Sequence, residues 1–171
     1  MKYLRLSVCS LFLMFAGTVM AQHSEVIKDV LSDKARADNF DIELMKDIAD
    51  INDTVNDMHH EPHKSSFKIV HVNFDVIAKE GVIAESGFKT VMMRLIDSHG
   101  TDIYDPVAGG GFFMVGGKER PYTYKQSFTY DGKKQHVEFL YKNPKKYHKG
   151  LHIIEIFMDG AKIGEEHFII K

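Results

Sequence analysis

The stretch "FKIVHVNFDVIAK", residues 67–79, decides the fold class. Val70, Val72, Phe74 and Val76 share one parity of the run, and Ile69, His71, Asn73 and Asp75 share the other. Side chains of an extended chain point alternately to opposite faces, so this spacing is that of a strand with one face on a core. The same period recurs at 89–97, 101–104, 122–130, 135–141, 151–158 and 162–170. Between these runs lie breakers such as "SHG", "DPVAGGG", "VGGKERP" and "KNP". Asp131-Gly132 and Asp159-Gly160 are dipeptides that tolerate the positive φ of tight hairpin turns. Seven short strands without intervening helical segments predict a mainly β chain, an antiparallel sandwich over residues 67–171. Its expected core is Phe74, Met93, Leu95, Phe128, Phe139, Ile153 and Phe168. On the same count His152 and Ile154 fall on the opposite face.

Upstream the period changes. Val26, Val30, Ala37, Phe40, Leu44, Ile48, Ile51, Val55 and Met58 recur at three- and four-residue spacing, with Asp33 interrupting the stripe. That is the signature of one face of a helix. The spacing predicts a long amphipathic helix over 25–58, or two shorter ones joined at Asp38-Asn39, a good capping pair. So narrow a stripe seeks a partner surface, as in a coiled coil. Val30, Phe40, Leu44, Ile48, Ile51, Val55 and Met58 are therefore the expected partner-binding residues of a helical arm spanning 22–60. A linker over 61–66 joins this arm to the sandwich.

Residues 1–21 carry Lys2 and Arg5, an apolar run and a small-residue end at Ala21, the layout of a secretory signal peptide. The run is too short to span a bilayer, so no membrane span is expected after its removal. The single cysteine, Cys9, lies inside it, which excludes disulfides, thiolate metal sites and cysteine nucleophiles from the mature chain. Without Lys2 and Arg5 the chain holds 20 Lys and Arg against 24 Asp and Glu, too acidic a balance for a nucleic-acid partner. The charge is unevenly spread, with ten acids and four bases in 22–60. A basic patch of Lys133, Lys134, Lys142, Lys145, Lys146 and Lys149 reads first as a solvated end of the sandwich and second as the complement of that acidic arm.

"DMHHEPHKSSF", residues 57–67, groups His59, His60 and His63 around Glu61. Neutral imidazoles so close together suit zinc or copper. Pro62, however, disfavours helix at Glu61, which makes the tract first the joint where the helix ends and second a metal site. No other cofactor is expected. The remaining histidines, His71, His99, His136, His148, His152 and His167, are scattered and read as satisfied strand or surface residues. No serine sits in a nucleophile elbow, and Glu165 and Glu166 point to opposite faces of a strand. No catalytic residue is assigned, and an enzyme is not expected. "GGGFF", 109–113, lacks the lysine and helix of a phosphate loop and reads as a hairpin tip with Phe112, Phe113 and Met114 tucked beneath it.

The final stretch, "KGLHIIEIFMDGAKIGEEHFIIK" at 149–171, resembles the closing hairpin of Ig-like modules at the ends of secreted and periplasmic Bacteroidetes-type proteins. Gly150, Glu155, Ile156, Asp159, Gly160, Ile163, Gly164, Phe168 and Lys171 carry the likeness, and His152 stands where that pattern has an aromatic residue. The resemblance implies a seven-stranded Ig-like sandwich in the periplasm or outside the cell. Together these features set the expected function: a non-catalytic assembly protein of the bacterial envelope. It would bind a protein partner, or itself, through the helical arm. The alternatives are a periplasmic zinc or copper protein using His59, His60 and His63, and a glycan or surface adhesion module presenting Tyr104, Phe112 and Phe113.

Overall fold

A computed structural model describes residues 32, 34–46, 67–83 and 85–171. Among them ten strands follow in chain order: β1 (Ala35–Met45), β2 (Ile69–Ala78), β3 (Gly87–Ile96), β4 (Asp102–Ile103), β5 (Gly111–Val115), β6 (Lys118–Tyr122), β7 (Tyr124–Tyr130), β8 (Gln135–Lys142), β9 (Gly150–Met158) and β10 (Ala161–Ile170). The one helical piece among them is a 3₁₀ turn at Pro106–Ala108. The chain is mainly β with antiparallel pairing, as the period-two runs require. The signal segment 1–21, the linker 61–66 and most of the arm lie outside the described residues.

One sheet has the order β1-β2-β8; the other has β10-β9-β3-β4, with β7 also paired to β3, and β5-β6 forms a separate hairpin. Val72 and Phe74 of β2 and Phe139 of β8 meet Met93 and Leu95 of β3 and Ile154 and Ile156 of β9 in one shared core, all fully buried. Each side chain of this size contributes about 1.5–3 kcal/mol by leaving water. β3 exchanges partners midway, from β7 to β4, and buried Thr123 fills the seam. Its hydroxyl accepts from Leu95 N at 2.8 Å and donates to Ile103 O.

The expected helix is corrected at residues 35–45, which form β1 against β2. The cause is a β-bulge. Asp38 faces Asp75 and Asp41 faces Asn73, so Asn39 and Phe40 together oppose Phe74. Asn39 takes φ +54°, a conformation asparagine tolerates, and its side chain donates to Asp75 Oδ2 at 2.8 Å. The extra residue flips the inward parity from Ala35 and Ala37 to Phe40, Ile42 and Leu44, all packed on the core. The steps 37, 40 and 44 therefore imitate helical spacing. Ile42, off the helical stripe, is the residue that betrays the strand.

Two face assignments also change. On β9 the inward residues are His152, Ile154 and Ile156, whereas Ile153 lies on the other face and is only half-buried. Both faces of β9 are apolar because the β5-β6 hairpin covers the outer one, setting Phe113 5.0 Å from fully buried Phe157. Alternation alone carries no signal in such a strand. That hairpin turns at Gly116 (φ +56°) and Gly117 (φ +78°), and it splits the expected aromatic cluster: Phe113 is tucked, while Phe112 and Met114 are exposed.

Candidate functional site

Three loops close one end of the two sheets: the β3-β4 turn, the segment after β4 and the β8-β9 loop. Each is shaped by a short polar side chain bonding to its own backbone. Asp97 Oδ1 accepts from His99 N and Thr101 N, both at 2.8 Å. Asp105 Oδ1 caps the 3₁₀ turn by accepting from Val107 N at 2.8 Å. Asn143 Oδ1 accepts from Lys145 N at 3.1 Å. Gly150 draws two of these loops together, since a Cβ there would stand 2.8 Å from Ser98 Cβ.

Between them opens a cavity of about 410 Å³ whose wall includes Asp97, Asp105, Tyr141, Asn143, Tyr147 and His148. Four buried polar atoms make no hydrogen bond among the described residues: Ser98 Oγ, Tyr141 Oη, Tyr147 Oη and His152 Nε2. All belong to this end of the molecule. The Tyr147 ring meets His152 edge-on at 5.7 Å, and His152 stacks on Phe168 at 4.9 Å. Buried polar groups are nearly always paired in folded proteins, so these four draw their partners from outside the described residues, water or a ligand.

Electrostatics fix what those atoms offer. Burial, aided by Asp105, pushes the Tyr141 hydroxyl up to about 12. Burial pushes Tyr147 higher still, with Tyr141 adding to the effect. Both phenols therefore stay protonated and able to donate. Burial lowers His152 below the ordinary histidine range, against the backbone bond to Gly150 that favours its charge. Its Nδ1–H donates to Gly150 O at 3.1 Å, which leaves Nε2 as the lone-pair nitrogen. Burial works against the Asp97 charge, but the Thr101 and His99 amides outweigh it and hold that carboxyl below its ordinary range.

The acids of the wall already have partners. Asp102 accepts from Arg94 at 2.6 Å, and Asp97 and Asp105 accept backbone amides. Lys145 and Lys146, on the opposite lip, make no ion pair among the described residues. Lys145 and Lys146 thus place two ammonium groups on a wall that also carries the carboxylates of Asp97, Asp102 and Asp105.

Sequence-predicted residues fare differently. His59, His60, His63, Val30, Ile48, Ile51, Val55 and Met58 lie outside the described residues. Phe40 and Leu44 are used by the core through β1. Lys133 and Lys134 sit at the start of β8 and Lys142, Lys145, Lys146 and Lys149 at or beyond its end. Eight residues at ~3.3 Å each keep the two lysine groups about 25 Å apart. Lys134 instead pairs with Asp75 at 2.7 Å. Sequence reasoning missed Tyr141, Tyr147 and His152. No local signal marked His152, because β9 buries residues of both parities.

The model of the family described as "Domain of unknown function (DUF8428)" matches residues 51–171. No curated protein matches the sequence. A solved structure, Pseudomonas fluorescens alkylpurine DNA glycosylase AlkC bound to DNA containing an abasic site analog, is similar over 79% of this chain and 30% of that chain, at 10% identity and a TM-score of 0.40. The chain thus spans under a third of that protein's length. The expected envelope assembly protein with a helical docking arm is corrected here. Part of the arm is strand β1, with its Phe40 and Leu44 spent in the core rather than offered to a partner. At this TM-score the likeness assigns no activity to the chain, and it favours neither the zinc or copper alternative nor adhesion. No helix among the described residues is long and apolar enough to cross a membrane.

Proposed function

The chain belongs to the DUF8428 family, and from that premise we propose that it is a small-ligand-binding protein whose site is the cavity at the end of its two sheets. In this reading the two sheets form an Ig-like sandwich, residues 1–21 export the chain to the periplasm or beyond, and its role is binding rather than catalysis. The observation that carries the proposal is the pair of unpartnered, buried phenols, Tyr141 Oη and Tyr147 Oη, beside a cavity of about 410 Å³. That volume lies in the range of small-molecule sites, ~300–1,000 Å³. Protonated phenols donate, Asn143 offers an amide, and Lys145 and Lys146 supply ammonium groups. The arrangement suits a small ligand rich in hydroxyl groups, such as a hydroxy acid whose carboxylate meets the lysines.

The test is calorimetric titration of the full chain with a panel of small hydroxy acids and matched neutral polyols. Binding of an acid that weakens in Tyr141→Phe and Tyr147→Phe, without loss of folded stability in either, is the expected outcome. A stability loss above ~1 kcal/mol in both variants would instead mean that the hydroxyls serve the fold, because a phenol bonded within the protein contributes about that much. Equal affinity for acids and polyols would remove the role of Lys145 and Lys146.

A further inference from the structure

The β3-β4 turn and the β8-β9 loop bring together Asp97 and His99 of the first with His148 of the second, which lies far from them in sequence. One donor atom from each lies within 4.8 Å of the other two. The two imidazoles meet edge-to-face with centroids 4.9 Å apart, and Asp97 Oδ2 stands 3.8 Å from His99 Nδ1. Asp97 is held from behind. Its Oδ1 accepts two backbone amides, which fix the carboxylate plane and leave Oδ2 facing the histidines. The Asp97 side chain is nearly buried, while both histidines are exposed and reachable from solvent. The loops are also locked to each other, because Gly150, two residues after His148, allows the chain to press against Ser98.

We propose that Asp97, His99 and His148 form a site for a divalent first-row transition cation, of the zinc, copper or nickel type. Two neutral imidazoles and one carboxylate are the donor set such ions prefer, and magnesium and calcium, which want oxygen, are disfavoured by it. Zinc-to-ligand bonds of ~2.0–2.2 Å set tetrahedral donors about 3.4 Å apart. The 4.8 Å span closes to that by rotation of the two exposed imidazoles, with Asp97 already fixed. Three protein ligands leave at least one coordination position open, and the ion would lie at the cavity wall, to which Asp97 and His148 contribute. The site is separate from the 59–63 histidine tract and does not depend on the cavity's taking a ligand of its own.

The experiment is titration of the full chain with zinc and nickel, in a background carrying His59→Ala, His60→Ala and His63→Ala so that the tract contributes nothing. One equivalent should bind with micromolar affinity or better, and magnesium in excess should not displace it. His99→Ala and His148→Ala should each weaken binding by more than the ~10- to 100-fold that loss of an outer-shell partner costs. Asp97→Asn, which keeps the turn-forming oxygen, should do the same. Tyr141→Phe and Tyr147→Phe should leave it unchanged, which separates this site from the cavity proposal. Absence of binding, binding that survives both histidine substitutions, or displacement by magnesium overturns the assignment. Both histidines are exposed, so an unchanged melting temperature of the metal-free variants shows that loss of binding is not loss of fold.

Discussion

Replacing Phe40 by alanine tests the correction on which the architecture turns. A helical arm offering Phe40 to a partner would lose that partner and keep its stability. Strand β1 must lose stability. Phe40 stacks on Phe74 with centroids 5.4 Å apart and packs against the core while remaining partly exposed. Full truncation of a buried phenylalanine costs ~3–5 kcal/mol. Partial burial takes that to roughly half, and the lost aromatic pair returns ~0.5–1.5 kcal/mol. The expected loss is about 2–4 kcal/mol. Urea denaturation of the full chain, followed by far-ultraviolet circular dichroism, measures it, with the m-value confirming that the same surface unfolds. Gly164 supplies an independent check. A Cβ there would meet Ala37 Cβ at 2.7 Å and Phe40 Cζ at 3.0 Å, so Gly164→Ala forces β1 away from β10 and should also destabilise. A change below ~0.5 kcal/mol for Phe40→Ala, the range of inert surface substitutions, refutes the packing of β1 on the core.

Three further outcomes are expected. Hydrogen bonds from Lys134 and Asn39 lead in lowering the Asp75 carboxyl to about 2 from an ordinary 3.8. A carboxyl depressed in the folded state stabilises above its unfolded value and loses that effect as pH falls through the folded one, so Asp75→Asn should flatten the stability profile between about pH 4 and 2. The exposed partners limit the effect at pH 7 to about 1 kcal/mol. Arg94→Met strips the nearly buried Glu155 of its 2.6 Å partner and leaves Lys162 at 3.3 Å. Thermal unfolding should register a loss of about 2–4 kcal/mol, below the full cost of orphaning a buried charge because Lys162 remains. Gly150→Ala combines a 2.8 Å approach to Ser98 with φ +117°, and should separate the β3-β4 turn from the β8-β9 loop. Its effect on zinc affinity should exceed its effect on melting temperature, and the reverse order would detach the loops from the proposed metal site.

The amino-acid sequence by itself determined the strands whose two faces differ. In β2 and β8, apolar residues alternate with polar ones, and any extended chain with that pattern must turn the same side to a core. It also determined the Asp159-Gly160 turn, where positive φ at both positions admits few other residues. Tertiary structure alone decided three things. β1 takes its shape from a bulge opposite Phe74, and a bulge changes parity in a way that imitates helical spacing, with only Ile42 off the stripe. β9 is apolar on both faces because a distant hairpin covers one of them, so local alternation held no information about which face His152 would take. Finally, Asp97, His99, Tyr141, Tyr147 and His148 share one end of the molecule because β8 and β9 carry the chain back beside the β3-β4 turn. Such proximity depends on pairing between strands remote in sequence, and no local pattern encodes it.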